Sequence, residues 1–265
     1  MNKIYPDFSE AVADIFDGAS IAVYNWGFPG IPQNLLLALR EQGAKDLTII
    51  TPNWFTGAIP EEILVGPNIL LPQMKKLIAS YYASTVRLAE KAELSEEDAG
   101  LEKKIETEPL SHGILVERLR AAAGGMGPFY CPVGVGTKVE EGKEKRVFDG
   151  REYLLEYPLK PDFGLVKADK ADKYGNLVYR GVSRGLNPII AMASAVTIVE
   201  VDEIVEPGEL EPDAIVTPAA FVDRIVEIPE GVRGSYKDSM TKFKALLEVD
   251  WIRDMILGAK KEEDN

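Results

Sequence analysis

The chain has 265 residues, with 30 Lys and Arg against 43 Asp and Glu, a formal net charge of −13 and 46% hydrophobic content. That is enough apolar sequence for one sizeable α/β core and too much for a disordered chain, while the negative charge repels phosphate backbones and argues against nucleic acid as a partner. No apolar run reaches the roughly 18 residues a membrane helix needs, the start MNKIYPDFSEAVADIF has no charged-then-apolar leader, and His112 and Cys131 are the only residues of their kinds. A cytoplasmic protein with no membrane partner, no disulfide and no metal is expected.

In chain order, FSEAVADIF predicts a short amphipathic helix with Asp7 or Ser9 as cap. After the Asp17-Gly18 turn, ASIAVYNW is a mostly apolar run of strand length that GFPGIP breaks. PQNLLLALREQG has helical spacing and closes on Gly43, a C-cap, and DLTIITP is the next buried strand. Residues 84–108, with LSEEDAG, are charge-rich and read as a surface excursion. GILVERLRAAA is a strong helix, on which Glu117 and Arg120 stand at the spacing of a surface ion pair.

FYCPVGVGT reads as a buried strand ending in a glycine loop, with Cys131 as packing rather than a nucleophile. REYLLEYPL, DFGLVKAD, NLVYR, VTIVEVDEIV and DAIVTPAAFVDRIVEI supply further strands, and YGN a hairpin-like turn. LNPIIAMASA is a helix with Asn187 placed to cap and Pro188 at the first helical position, and the lysines of KADKADK suit a solvated rim. From about residue 233, SYKDSMTKFKALLEVDWIRDMILGAKK forms an amphipathic helix or pair, with Phe243, Leu246, Leu247, Trp251 and Ile252 on one face, before the polar tail KEEDN. Strand alternating with helix predicts an α/β fold, an open, mostly parallel sheet with flanking helices, over residues 1–232, and a helical C-terminal extension over 233–265.

The glycine loops GGMGPF and GVGTKV match neither the dinucleotide nor the P-loop spacing. The order of the segments is more specific. DGASIAV with GIP, DLTII, GVGTKVEEGKEK, YLLEYPLKPDFGLVKADKADKYGNLVYR, LNPIIAMA, VTIVEVDEIVEPGELEPDAIVTP and FVDRIVE together resemble the alpha subunit of the family I CoA-transferases, over about residues 8–228. The 3-oxoacid, acetoacetate and 3-oxoadipate CoA-transferases belong to that family.

The resemblance implies a partner beta subunit in a heterodimer or α2β2 heterotetramer. It implies acyl-CoA and carboxylate substrates, with the coenzyme A thioester as substrate and no permanently bound cofactor. In that family a beta-subunit glutamate attacks the thioester, giving an acyl anhydride that the released CoA thiolate converts into a glutamyl-CoA thioester. The Ser-Glu-Asn-Gly motif carrying that glutamate is absent from this sequence, so the nucleophile is expected on the partner and this chain forms one wall of the pocket.

Two departures from the family pattern stand out. Asp17, Gly18, Gly30 and Pro32 keep the first signature, but its Gly-Gly-Phe is replaced by Tyr24, Asn25 and Trp26, which implies a reshaped acyl pocket, with Gly27 available for a glycine role. Where the family reads Pro-Gln-Gly-Thr before its long helix, this chain has Ser111, His112, Gly113 and Ile114, which puts His112 on the glutamine position. Histidine there can orient a carboxylate or act as acid or base. Asn53 lies near the family's Asn-Asn, and Gly134 and Gly136 suit the cleft wall. The resulting site has His112 as its catalytic residue and Tyr24, Asn25, Trp26, Gly27, Gly30, Asn53, Gly113, Gly134 and Gly136 as substrate-binding residues. The alternatives are a hydrolase subunit on the same scaffold using His112 as base, and a noncatalytic subunit.

Overall fold

The computed structural model describes residues 2–25, 28–53, 66–81 and 105–248. Its large sheet runs β11 (Arg224–Glu227), β10 (Val196–Val205), β8 (Phe163–Asp172), β1 (Ser20–Val23), β2 (Leu47–Asn53), β3 (Met74–Tyr81) and β4 (Glu106–Pro109). All of these pairs are parallel. Among the described residues, only β9 (Leu177–Val178) joins as an antiparallel strand, as the return of a hairpin on β8. The Asp172 carboxylate closes that hairpin by accepting from the N–H groups of Tyr174, Gly175 and Asn176 at 2.9–3.0 Å.

Both faces of this sheet are covered, which is why its inner strands are near-continuous apolar runs. Ile21 and Val23 point into one core with α1 (Phe8–Val12) and α2 (Gln33–Gln42). Ala22 and Tyr24 point into the other, with α3 (His112–Ala123) and α4 (Asn187–Ala193). The expected ends are in place: Asp7 accepts from the Glu10 N–H at 2.8 Å, and Gly43 ends α2 at φ 85°. Helix α5 (Tyr236–Leu247) starts the C-terminal extension.

Several expectations are corrected. Residues 106–108 of the supposed surface excursion are edge strand β4. Its charges hid it, and they are spent on ion pairs: Lys76 with Glu106 and Glu108, and Arg118 with Glu108. β3 carries no strand expectation because Lys75 and Lys76 interrupt its alternation. DAIVTPAAF is not strand: Pro212–Ala214 and Ala219–Phe221 are 3₁₀ turns, and the prolines withhold the N–H groups a ladder needs.

FYC is β5 (Phe129–Cys131), which pairs with β7 (Arg151–Glu156) and through it β6 (Lys145–Phe148) in a separate antiparallel sheet, leaving Cys131 half-buried rather than buried. Lys167 of the supposed solvated rim is buried against Asp202, and Lys170 and Lys173 pair with Glu203 and Glu206 across the ladder to β10. The Glu117–Arg120 ion pair forms on the exposed face of α3. LSEEDAG, Trp251, Ile252, the tail, and the side chains of Phe243, Leu246 and Leu247 lie outside the described residues.

Candidate functional site

In an open parallel sheet, ligands settle beyond the carboxyl ends of the strands, where the strand order reverses. Here that point lies between β1 and β8, since β1 leads out to β2, β3 and β4 on one side and β8 leads out to β10 and β11 on the other. Tyr24 and Asn25 follow β1 and Asn53 ends β2. Leu110 and Ser111 turn the chain from β4 into α3, which places His112 and Gly113 in its first turn at the same edge.

Asn25 is 1% exposed, and its side chain stands in for the backbone rung that β1 no longer supplies. Its Oδ1 accepts from the Thr51 hydroxyl at 2.9 Å and the Asn53 N–H at 3.2 Å, while its Nδ2 donates to the Asn53 carbonyl. Asn53 is thereby fixed at the edge, buried, with its side-chain Oδ1 left without a hydrogen-bond partner among the described residues. A buried open acceptor of this kind favours an incoming N–H or O–H donor.

Tyr24 fills the reversal point itself. A Cβ on Gly185 would stand 2.1 Å from its ring, so that glycine is a socket for the tyrosine, while one on Gly30 would stand 2.7 Å from the Ser183 carbonyl oxygen and 3.1 Å from the ring. Burial raises the Tyr24 hydroxyl above its ordinary pKa, so the ring sits there neutral. Gly30 ends a short 3₁₀ turn, Phe28–Gly30. Its carbonyl accepts from Asn187 Nδ2 at 3.0 Å, the same amide nitrogen donates to the Ser183 carbonyl at 2.9 Å, and Asn187 Oδ1 accepts from the Lys167 N–H at 3.2 Å. Asn187 is therefore no helix cap. Leu186 holds the cap position, and the fully buried amide instead ties β8, the Gly30 turn and the Gly181–Ser183 turn together.

His112 is exposed beside the cap Ser111, whose hydroxyl accepts from the Ile114 N–H at 3.3 Å. Gly113 faces open space, since a Cβ there would meet nothing within 4 Å. With the partial positive charge of the helix N-terminus, this end of α3 suits a carboxylate or a developing oxyanion. The remaining predicted site residues are not gathered here. Gly134 and Gly136 shape the loop after β5, at φ 93° and 77°, and the Gly136 N–H is already given to Glu140 at 2.6 Å. Trp26 and Gly27 lie outside the described residues.

Sequence reasoning misses Thr51, Ser183 and Gly185, and misjudges Asn187. Thr51 is read only as part of the strand DLTIITP and Asn187 only as part of a helix, and for the other two only the glycine of RGLNP hints at a close approach.

An open, doubly wound sheet with a crevice at its reversal point defines the class, and comparison with known proteins narrows it. The coenzyme A transferase family model matches residues 5–228. The chain is 42% identical over 229 residues to the alpha (A) chain of 3-oxoadipate CoA-transferase from Pseudomonas putida, covering 86% of this chain and 94% of that one. It is 41% identical over 226 residues to the corresponding chain of the probable succinyl-CoA:3-ketoacid coenzyme A transferase from Bacillus subtilis, covering 85% and 90%. The crystal structure of an acyl-CoA transferase from Escherichia coli O157:H7, a thioester complex with CoA, shares the fold at a TM-score of 0.72 and 22% identity, covering 89% of this chain and 51% of that one. The chain belongs to the coenzyme A transferase family.

Proposed function

We propose that the chain is the alpha subunit of a two-subunit CoA-transferase that moves CoA from an acyl-CoA to a carboxylate of the 3-oxoacid type. The observation that carries this reading is the collinear match to the alpha chains of such enzymes along nearly their whole length. The crevice between β1 and β8 gives the chemistry a place. In this reading Tyr24 and Gly30 bound the acyl end, Asn53 offers its open acceptor to a substrate donor, and His112 and Gly113 orient the carboxylate. Gly134 and Gly136 belong to the cleft wall at the subunit junction, and Trp26 and Gly27 count among the substrate-binding residues.

The nucleophilic glutamate resides on the beta subunit, with which this chain forms a heterodimer or an α2β2 heterotetramer. Covalent capture there splits one hard exchange into two easier steps, and this chain supplies position and charge stabilisation. The coenzyme A thioester is a substrate, and no resident cofactor is required. Residues 1–232 form the transferase domain and 233–265 its helical extension, in a cytoplasmic enzyme. Among the described residues, no helix is long and apolar enough to cross a membrane. The hydrolytic and noncatalytic readings draw no support from the transferase relatives.

The test is intact-mass spectrometry of the complex with its beta subunit, mixed with a panel of acyl-CoAs and no acceptor. A CoA-sized adduct on the partner supports the transferase. Free CoA accumulating without an adduct means hydrolysis and overturns it. His112→Ala, with the complex intact, is expected to lower turnover about a hundredfold, the scale on which a positioned acid, base or donor acts; unchanged turnover would make His112 a bystander.

A further inference from the structure

The extension beyond residue 228 lies outside the matched family region, yet it is wired into the site. α5 packs against the Phe28–Gly30 turn, the segment that presents Gly30 to the crevice. Its start is anchored from below: the Tyr236 N–H donates to Asp202 Oδ2 at 2.8 Å, and the other oxygen of Asp202 takes the buried ammonium of Lys167.

The approach to the helix is equally close. Asn34 Nδ2 donates to the Arg233 carbonyl at 2.9 Å, and Gly234, at φ 94°, lies so near that a Cβ would stand 2.9 Å from that amide. One turn into α5, Ser239 is 2% exposed and its hydroxyl accepts from Gln33 Nε2 at 3.4 Å. Gln33 is the first residue of α2, three positions after Gly30.

We propose that α5 is a brace that sets the position of the 28–30 turn, with Ser239 and Gln33 as its positioning residues. The turn is held between two supports. Asn187 pulls on the Gly30 carbonyl from the β8 side, and α5 closes over the turn and the first residues of α2 from outside. Asn187 and Gly30 lie inside the matched region, whereas α5 lies beyond it, so the second support is an addition to the family domain. Substrate affinity is the quantity the brace controls, because it touches a crevice wall and contributes no group to the reacting atoms. This last point rests on the function proposed above.

Three variants in the two-subunit enzyme test it: Ser239→Ala, which removes the hydroxyl; Ser239→Phe, which wedges the helix away; and a chain ending at Val232. The readouts are amide hydrogen exchange over residues 28–36 and the split between KM and kcat for the acyl-CoA. Ser239→Phe and the truncated chain are expected to exchange at least tenfold faster over 28–36 and to raise KM about tenfold with kcat within twofold. Ser239→Ala is expected to show smaller changes in the same direction.

Unchanged exchange in the Ser239 variants overturns the brace, whether or not the enzyme is active and whether or not the truncated chain folds. Faster exchange with unchanged KM makes α5 merely structural and overturns the positioning role. Faster exchange in a complex whose wild type transfers no CoA leaves the brace standing and removes the proposed activity.

Discussion

At the edge of the large sheet, Asn25, Thr51, Asn53 and Asn187 are at most 3% exposed and are held by hydrogen bonds, whereas the small sheet leaves Val147 60% and Phe148 41% exposed. Apart from the buried Leu154 and Glu156, the small sheet is held by surface contacts. Tyr130, Phe148 and Tyr153 meet edge to face, Arg146 and Arg151 lie over two of those rings, and Lys143 reaches back to the buried Glu156 at 2.6 Å. Burial sets the consequence of a change. A polar group lost from the dry edge strands its partners, while water replaces what is lost from the small sheet.

The largest effect is expected from Asn187→Ala. It orphans the Lys167 N–H and the carbonyls of Gly30 and Ser183, and at about 1–3 kcal/mol for each stranded group the partial relaxation of the site leaves a loss of about 3–5 kcal/mol. Urea unfolding followed by circular dichroism measures it. A loss under about 1 kcal/mol would mean that the edge is not as dry as its geometry implies.

Next comes Glu200, fully buried on β10, whose carboxylate accepts from the N–H groups of Asn34 and Leu35 at 2.9 and 3.0 Å and so caps α2 from outside. Burial pushes its pKa up to about 7, with Asp202 pushing the same way, against the pull of Lys167 and the two N–H groups. A carboxyl raised in the folded state favours folding fully below its unfolded pKa, and that contribution is lost as pH rises through about 7. Glu200→Gln does not titrate, so its stability relative to wild type is expected to improve between about pH 5 and pH 8 by up to about 3 kcal/mol, at about 1.4 kcal/mol per pKa unit. Thermal unfolding of both proteins across that range checks the sign, and parallel curves would contradict it.

Restoring Gly-Gly-Phe at residues 24–26 probes selectivity rather than stability. Emptying the Tyr24 socket is expected to move the preference among acyl-CoAs toward bulkier acyl groups by about tenfold in kcat/KM, or roughly 1.4 kcal/mol. An unchanged ranking across the panel would refute the reshaped pocket. At the small end, Phe148→Ser is expected to change stability by less than about 1 kcal/mol in the same urea assay, because its ring already meets solvent. A larger loss would show that the aromatic cluster carries the small sheet.

The strands buried on both faces, β1, β2, β8 and β10, are legible in the sequence because their apolar runs are long and bounded by glycine or proline. The edges are not. β4 reads ETEP, and it is strand only because Lys76 and Arg118 are there to meet its glutamates. Position in the chain points to Tyr24, Asn25, Gly30, Asn53, His112 and Gly113, which the fold gathers at one edge. Asn187 looks like a cap because of its neighbour Pro188, since a local pattern cannot reveal that its amide reaches a loop on the far side of the crevice. Gly134 and Gly136 have the glycine-loop look of the site, yet their described contacts belong to the small sheet.

Tyr24 and Gly185 cannot be exchanged independently. Any side chain at 185 would occupy the volume of the ring at 24, and the backbone there, at φ 37°, already favours glycine. A substitution at 185 therefore has to be accompanied by a smaller residue at 24. Two positions far apart in the chain share one volume, so the residue tolerated at either depends on the residue present at the other.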